Sequence, residues 1–192
     1  GKIVTPGLID IHVHLREPGQ EWKETIATGA EAAVAGGFTT ICCMPNTVPP
    51  IDNAQVTKYV LEKAAAAGLA RVLPIGTITK GREGKGLSPM VELKEAGCVA
   101  FSDDGFPVSH AGLMRRALEY GLMLGAVMTV HEEELQLSEE FSMNESAVSL
   151  KLGLKGMPGA AEDVMISRDI ELARMTGGRI HFCHVSTARA VT

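Results

Sequence analysis

Short, nearly all-apolar runs recur along the chain, separated by stretches of helical spacing that end at glycine. This alternation limits the possible folds more than any other feature. The runs read as strands at Asp10–Arg16, Phe38–Met44, Arg71–Thr77, Cys98–Asp104, Leu124–Val130 and Ile180–Val185. Helical spacing covers Trp22–Ala35, Asn53–Ala67, Met90–Ala96, Gly112–Tyr120 and Ala161–Met175, with stops at Gly36-Gly37, Gly68, Gly97, Gly121 and Gly177-Gly178. Asp52 or Asn53 is placed to cap the second helix. Ser138–Leu154 is polar and fits neither period, and Gly81–Ser88 reads as a loop. Strands that are apolar on both faces must be covered on both, so the pattern predicts parallel strands with crossover helices, in either a doubly wound sheet or an α/β barrel.

The choice between the two turns on where polar residues gather. They collect at or beyond strand C-termini: His12 and His14, Asn46, Asp103 and Asp104, His131, and His184. In a TIM-like (β/α)8 barrel those ends share one face, where active sites are built, so the barrel is the expected fold. About six of its eight βα units are accounted for.

Composition narrows the function class. The 192 residues are 45% hydrophobic and 21% charged with net charge −5, which fits one sizeable domain and no division by a linker. An acidic balance without basic runs speaks against nucleic acid as the partner. No apolar run approaches the ~20 residues of a membrane span, and no signal peptide opens the chain. Cys42, Cys43, Cys98 and Cys183 form no Cys-x-x-Cys pair, so reduced, buried thiols in a cytoplasmic protein are expected.

On the opening strand, alternation puts Ile9, Ile11 and Val13 on one face and Asp10, His12 and His14 on the other. Two imidazoles about 7 Å apart along one face can grip a single ion; the bland alternative is a wet strand face that happens to carry histidines. His131 ends the apolar run Ala126–Val130 and is either a ligand or a satisfied rim histidine. His131-Glu-Glu-Glu-Leu135 is not a zincin motif, since Leu stands where the second histidine belongs. His181 and His184 face opposite sides, and His184, nearer the strand end, is the preferred ligand. Asp103 and Asp104 also diverge, so one of them coordinates. His110, in a loop, covers the site or is merely solvated. Four histidines and a carboxylate without thiolate suit zinc with a position left for water, whose pKa zinc lowers to about 7. The Gly- and Lys-containing stretch Gly76–Gly86 does not match a phosphate-binding loop, and no dinucleotide fingerprint or Gly-x-Ser-x-Gly elbow occurs.

Four stretches together resemble dihydroorotase of the amidohydrolase superfamily, in its long bacterial or multifunctional-complex form. They are Pro6-Gly-Leu-Ile-Asp-Ile-His-Val-His-Leu-Arg-Glu-Pro-Gly19, Met44-Pro-Asn-Thr47, Phe101-Ser-Asp-Asp-Gly105 and His184-Val-Ser-Thr187. The resemblance implies zinc, one ion or two, held by His12, His14, Asp104, His131 and His184, with Asp104 bridging as the catalytic carboxylate. It implies that Arg16 and Asn46, beside His14, hold the substrate carboxylate, a task that suits the two-donor fork of a guanidinium; a surface salt bridge is the alternative for Arg16. The implied reaction is reversible hydrolysis of the cyclic amide of dihydroorotate to N-carbamoyl-L-aspartate, in pyrimidine biosynthesis. Aspartate carbamoyltransferase and further copies of the chain are the implied partners.

Two departures matter. The hydantoinases and allantoinases carry a carboxylated lysine on strand four, and Cys98–Asp104 contains no lysine. That favours the branch in which Asp bridges over another cyclic-amide hydrolase, with a weaker second metal site. The family's proton-shuttling Asp lies on strand eight, and neither that strand nor the flanking β-domain is found in the sequence. Residues 1–192 are therefore expected to form a partial barrel domain that is inactive alone. A non-catalytic scaffold for aspartate carbamoyltransferase is the competing reading, and retention of all four histidines weighs against it.

Overall fold

Parallel strands and covering helices alternate throughout the computed structural model, which describes residues 1–192 and divides into two compact units, Gly1–Ser102 and Asp103–Thr192. No helix is long and apolar enough to cross a membrane.

In the first unit β1 (Leu8–Val13), β2 (Phe38–Cys43), β3 (Arg71–Gly76) and β4 (Ala100–Phe101) pair in that order, all parallel. Helices α1 (Ile26–Ala35), α2 (Ala54–Ala67) and α3 (Met90–Ala96) connect them. Asn53, not Asp52, caps α2: its side chain accepts from the backbone of Gln55 and Val56, and Gly68 closes the helix with φ 64°. Ile41, Ile75, Ile78, Met90, Leu93 and Phe101 form the core at 1% exposure or less. Each contributes roughly 1.5–3 kcal/mol by leaving water.

Three expectations shift in this unit. The first helix starts at Ile26 instead of Trp22, because Thr25 forms a capping box with Thr28 and leaves Trp22 in an exposed turn. The fourth strand shrinks to Ala100–Phe101, since Ser102 makes its last sheet-side bond to Gly76 O and the chain then turns away. The alternation assumed for the first strand breaks at a β-bulge: Asp10 pairs with Ile41 but Val13 with Cys43, three steps against two. Asp10 lines the same cavity against α1 as Val13 and Leu15, which strict alternation would not allow.

In the second unit β5 (Val127–Val130) and β8 (Arg179–Phe182) pair in parallel, from Val127 opposite Arg179 to Val130 opposite Phe182. Helix α4 (Ala111–Met123) packs on α6 (Ala160–Thr176) through a core that includes Met114, Leu118, Met128 and Met165. The stretch without a sequence assignment holds a short parallel pair, β6 (Met143–Asn144) with β7 (Gly156–Met157), around α5 (Ala147–Leu152).

Gly121 does not stop α4, which runs two residues further. The residue is there for close approach: a Cβ on it would lie 2.5 Å from Met128 Cε. His110 caps the same helix, its Nδ1 accepting from Leu113 N, and stays exposed. All four cysteines are free and buried, and burial pushes the Cys43 thiol up to about 12 and Cys98 to about 11.

Candidate metal and substrate site

In the first unit the rings of His12 and His14 lie edge to face, with centroids 5.2 Å apart at an interplanar angle of 69°. Asp10 Oδ1 accepts from His12 N at 3.0 Å and fixes the backbone inside the bulge. Asn46, just past the end of β2, places its Oδ1 2.9 Å from His14 Nδ1. An amide oxygen only accepts, so Nδ1 carries the proton and Nε2 is the acceptor nitrogen of His14, the form a metal ligand needs.

Arg16 lies half-buried beyond β1, with a left-handed φ of 60°. Such a backbone costs a non-glycine residue on the order of 1 kcal/mol or more, so its surroundings must hold it. Buried Glu17 does so next door: its carboxylate accepts from Ile26 N at 2.8 Å and Tyr59 Oη at 3.0 Å, with Lys63 Nζ 3.4 Å away. Val48 N donates to Pro18 O at 2.9 Å and ties the Arg16 loop to the Asn46 loop. Gly19 allows that approach, since at φ 96° its Cβ would fall 2.0 Å from Val48 O. Gly19→Ala should therefore cost about 1–2 kcal/mol in denaturant unfolding. An unchanged midpoint would mean the two loops are not tied at this point.

In the second unit three candidates come together. One donor atom each from Asp104, His131 and His184 lies within 4.8 Å of the others. His131 Nδ1 stands 3.1 Å from His184 Nε2, and that nitrogen is 3.8 Å from Asp104 Oδ1. Asp104 is buried, His131 half-buried and His184 exposed. His131 follows directly on β5; His184 lies two residues past β8 with φ 39°.

Glu133 Oε2 holds His131 Nε2 at 2.9 Å, which leaves Nδ1 as the acceptor nitrogen facing the cluster. Burial alone raises the Glu133 pKa, but hydrogen bonds from Ser138 and His131 outweigh it and lower the pKa. Two imidazole nitrogens and a carboxylate are the donor types zinc takes, and their spacing fits a single ion. Asp103 is buried beside Asp104, and His181 is exposed within β8, opposite Thr129; neither is part of the cluster.

Sequence reasoning missed the carboxylates that hold these residues. Glu133 was legible in principle, two positions from His131. Glu17 and Glu162 were not, because their partners lie as far as 42 and 25 residues away.

A family model described as dihydro-orotase-like matches residues 1–190. Proteins named dihydroorotase from Anaeromyxobacter dehalogenans and Geobacter sulfurreducens are 62% and 57% identical over 98% and 97% of this chain. The chain spans 43% and 44% of the length of those curated relatives. Among solved structures, an L-hydantoinase from Arthrobacter aurescens superposes with TM-score 0.74 at 22% identity, covering 97% of this chain and 43% of that one. A Saccharomyces cerevisiae dihydroorotase in complex with 5-fluoroorotic acid gives 0.64 at 14%, covering 92% and 47%. At such identities these structures show the fold alone, a TIM-like α/β barrel. By the family match and the identity of these relatives, the chain belongs to the dihydroorotase-like family.

Proposed function

We propose that this chain supplies the metal- and substrate-binding part of a zinc-dependent dihydroorotase of pyrimidine biosynthesis, acting on (S)-dihydroorotate and N-carbamoyl-L-aspartate. Identity of 55–62% to proteins named dihydroorotase supports this. The observation that carries it is the Asp104, His131 and His184 cluster, with its acceptor nitrogen set by Glu133. Asp104, His131 and His184 act as ligands, as do His12 and His14. A bound divalent ion supplies Lewis acidity at the amide carbonyl and acidifies the water it binds. Hydrolysis breaks the ring amide C–N bond, the carbonyl carbon gaining hydroxyl and the nitrogen a proton.

The chain's own residues orient the substrate. Arg16 presents a rigid fork to the substrate carboxylate, which a lysine cannot imitate. Asn46 fixes the His14 tautomer and offers its remaining amide donors to the same carboxylate. Hydantoin and allantoin are poorer candidates, because those substrates lack the carboxylate that such a fork recognises.

Zinc titration against a chelator tests the ligand reading. His131→Ala should weaken zinc at least about 100-fold, near 2.7 kcal/mol, while His181→Ala leaves it unchanged. Equal losses in both variants would overturn the ligand assignment. On the zinc-loaded protein, Arg16→Lys should weaken dihydroorotate about tenfold by calorimetry, for loss of the bidentate contact. Wild-type affinity in that variant rules out the fork.

A further inference from the structure

His184 sits between two anchors. On one side, Cys183 N donates to Val130 O at 3.0 Å and ends the sheet bonding of β8. On the other, the backbone at Ser186 and Thr187 is held by a single side chain, Glu162 in the first turn of α6. Its Oε1 accepts from Ser186 N at 3.0 Å, Thr187 N at 2.9 Å and Thr187 Oγ1 at 2.9 Å; its Oε2 accepts from Ser186 Oγ at 2.7 Å. Thr187 Oγ1 also reaches Asp163 Oδ1. The carboxylate is buried, and the turn it holds contains the left-handed backbone of His184, φ 39°. Such a backbone costs a non-glycine residue on the order of 1 kcal/mol, and the chain on both sides of it is fixed, by Cys183 before and by the Glu162 contacts after.

We propose that Glu162 is a positioning residue for the metal centre: by clamping Ser186 and Thr187 it holds His184 in the strained conformation that brings Nε2 to His131 and Asp104. The inference rests on the reading of those three residues as metal ligands. Glu162 touches neither the cluster nor any substrate. It acts through His184, as partners beyond the ligands commonly do, with losses of 10–100-fold in metal affinity when they are removed.

The test is a double-mutant cycle read by zinc affinity and by the visible absorption of the cobalt-loaded protein. Glu162→Gln keeps the size of the side chain but sets an amide donor against the Ser186 donors. It should weaken zinc about tenfold and change the cobalt band, with the far-UV circular dichroism of the wild type. Ser186→Ala, which removes one contact of the clamp, should show a smaller loss in the same direction. In the His184→Ala background, Glu162→Gln should cause no further loss, because the residue through which it acts is gone. Wild-type affinity in Glu162→Gln, or a loss that adds to that of His184→Ala, overturns the proposal. If His184→Ala itself binds zinc normally, the ligand reading falls and takes the inference with it.

Discussion

Glu17→Ala is expected to lower the unfolding free energy by about 4 kcal/mol, as for other buried charged groups removed from their partners. Glu17 is only 6% exposed, and it bonds two elements at once. Its Oε2 takes the backbone N–H of Ile26, the first residue of α1, where a negative charge also meets the positive end of the helix. Its Oε1 takes the hydroxyl of Tyr59 on α2, 42 residues away. Truncation leaves both donors facing a space where the carboxylate was, and each loses a hydrogen bond to a charged group worth about 1.5–3 kcal/mol. Lys63 adds little, because its ammonium is half exposed and well screened. Glu17→Gln retains the shape and one acceptor and should lose about half as much. Guanidinium unfolding of the three proteins provides the comparison. A difference under about 0.5 kcal/mol between wild type and Glu17→Ala would show that the loop bearing Arg16 is anchored elsewhere.

The fold was legible wherever local pattern decides it. Apolar runs located β2 and β3, and helical spacing closed by glycine located α2 and α3, all within a residue or two of their observed ends, since burial and capping are written in adjacent positions. What escaped depends on a distant partner. The bulge in β1 is a relation between Asp10–Val13 and Ile41–Cys43, and strict alternation of the first strand alone gives no sign of it. Gly121 has the local signature of a helix stop, and only the Met128 methyl group against it shows that the glycine serves packing. The candidate site divides in the same way. His12, His14, Asp104, His131 and His184 stand out by residue type at strand ends, whereas Glu17 and Glu162 carry charges that from sequence alone belong on a wet surface. Both are instead buried clamps, each beside a residue with left-handed backbone, Arg16 in one unit and His184 in the other.

Glu132→Gln is expected to stabilise the metal-free protein by about 3 kcal/mol at pH 8, with the gain fading towards pH 5. Glu132 follows His131 into a buried environment next to Asp169, which lies at 1% exposure on α6. Burial, then the neighbouring Asp169 charge, push its carboxyl well above the usual carboxylate range; Arg168 pulls weakly the other way. Arg168 is committed to Asp169, 2.6 Å from Nε to Oδ1, and to the carbonyls of Ser109 and Val108 at 2.9 and 3.0 Å. Glu132 Oε1 has no hydrogen-bond partner at all. The folded chain therefore keeps the Glu132 proton at pH values where the unfolded chain has released it. A group whose folded pKa is raised binds more protons in the native state, so stability falls as pH rises above about 4.3, by at most about 1.4 kcal/mol per unit, until the folded carboxyl itself ionises. Glutamine preserves the shape and the donor towards Asp169 without a proton to lose. The two proteins should thus have nearly equal stability at pH 5 and diverge steadily above it. Parallel stability curves from pH 5 to pH 8 would mean that Glu132 is ionised in the folded state, with a counter-charge closer to it than Arg168.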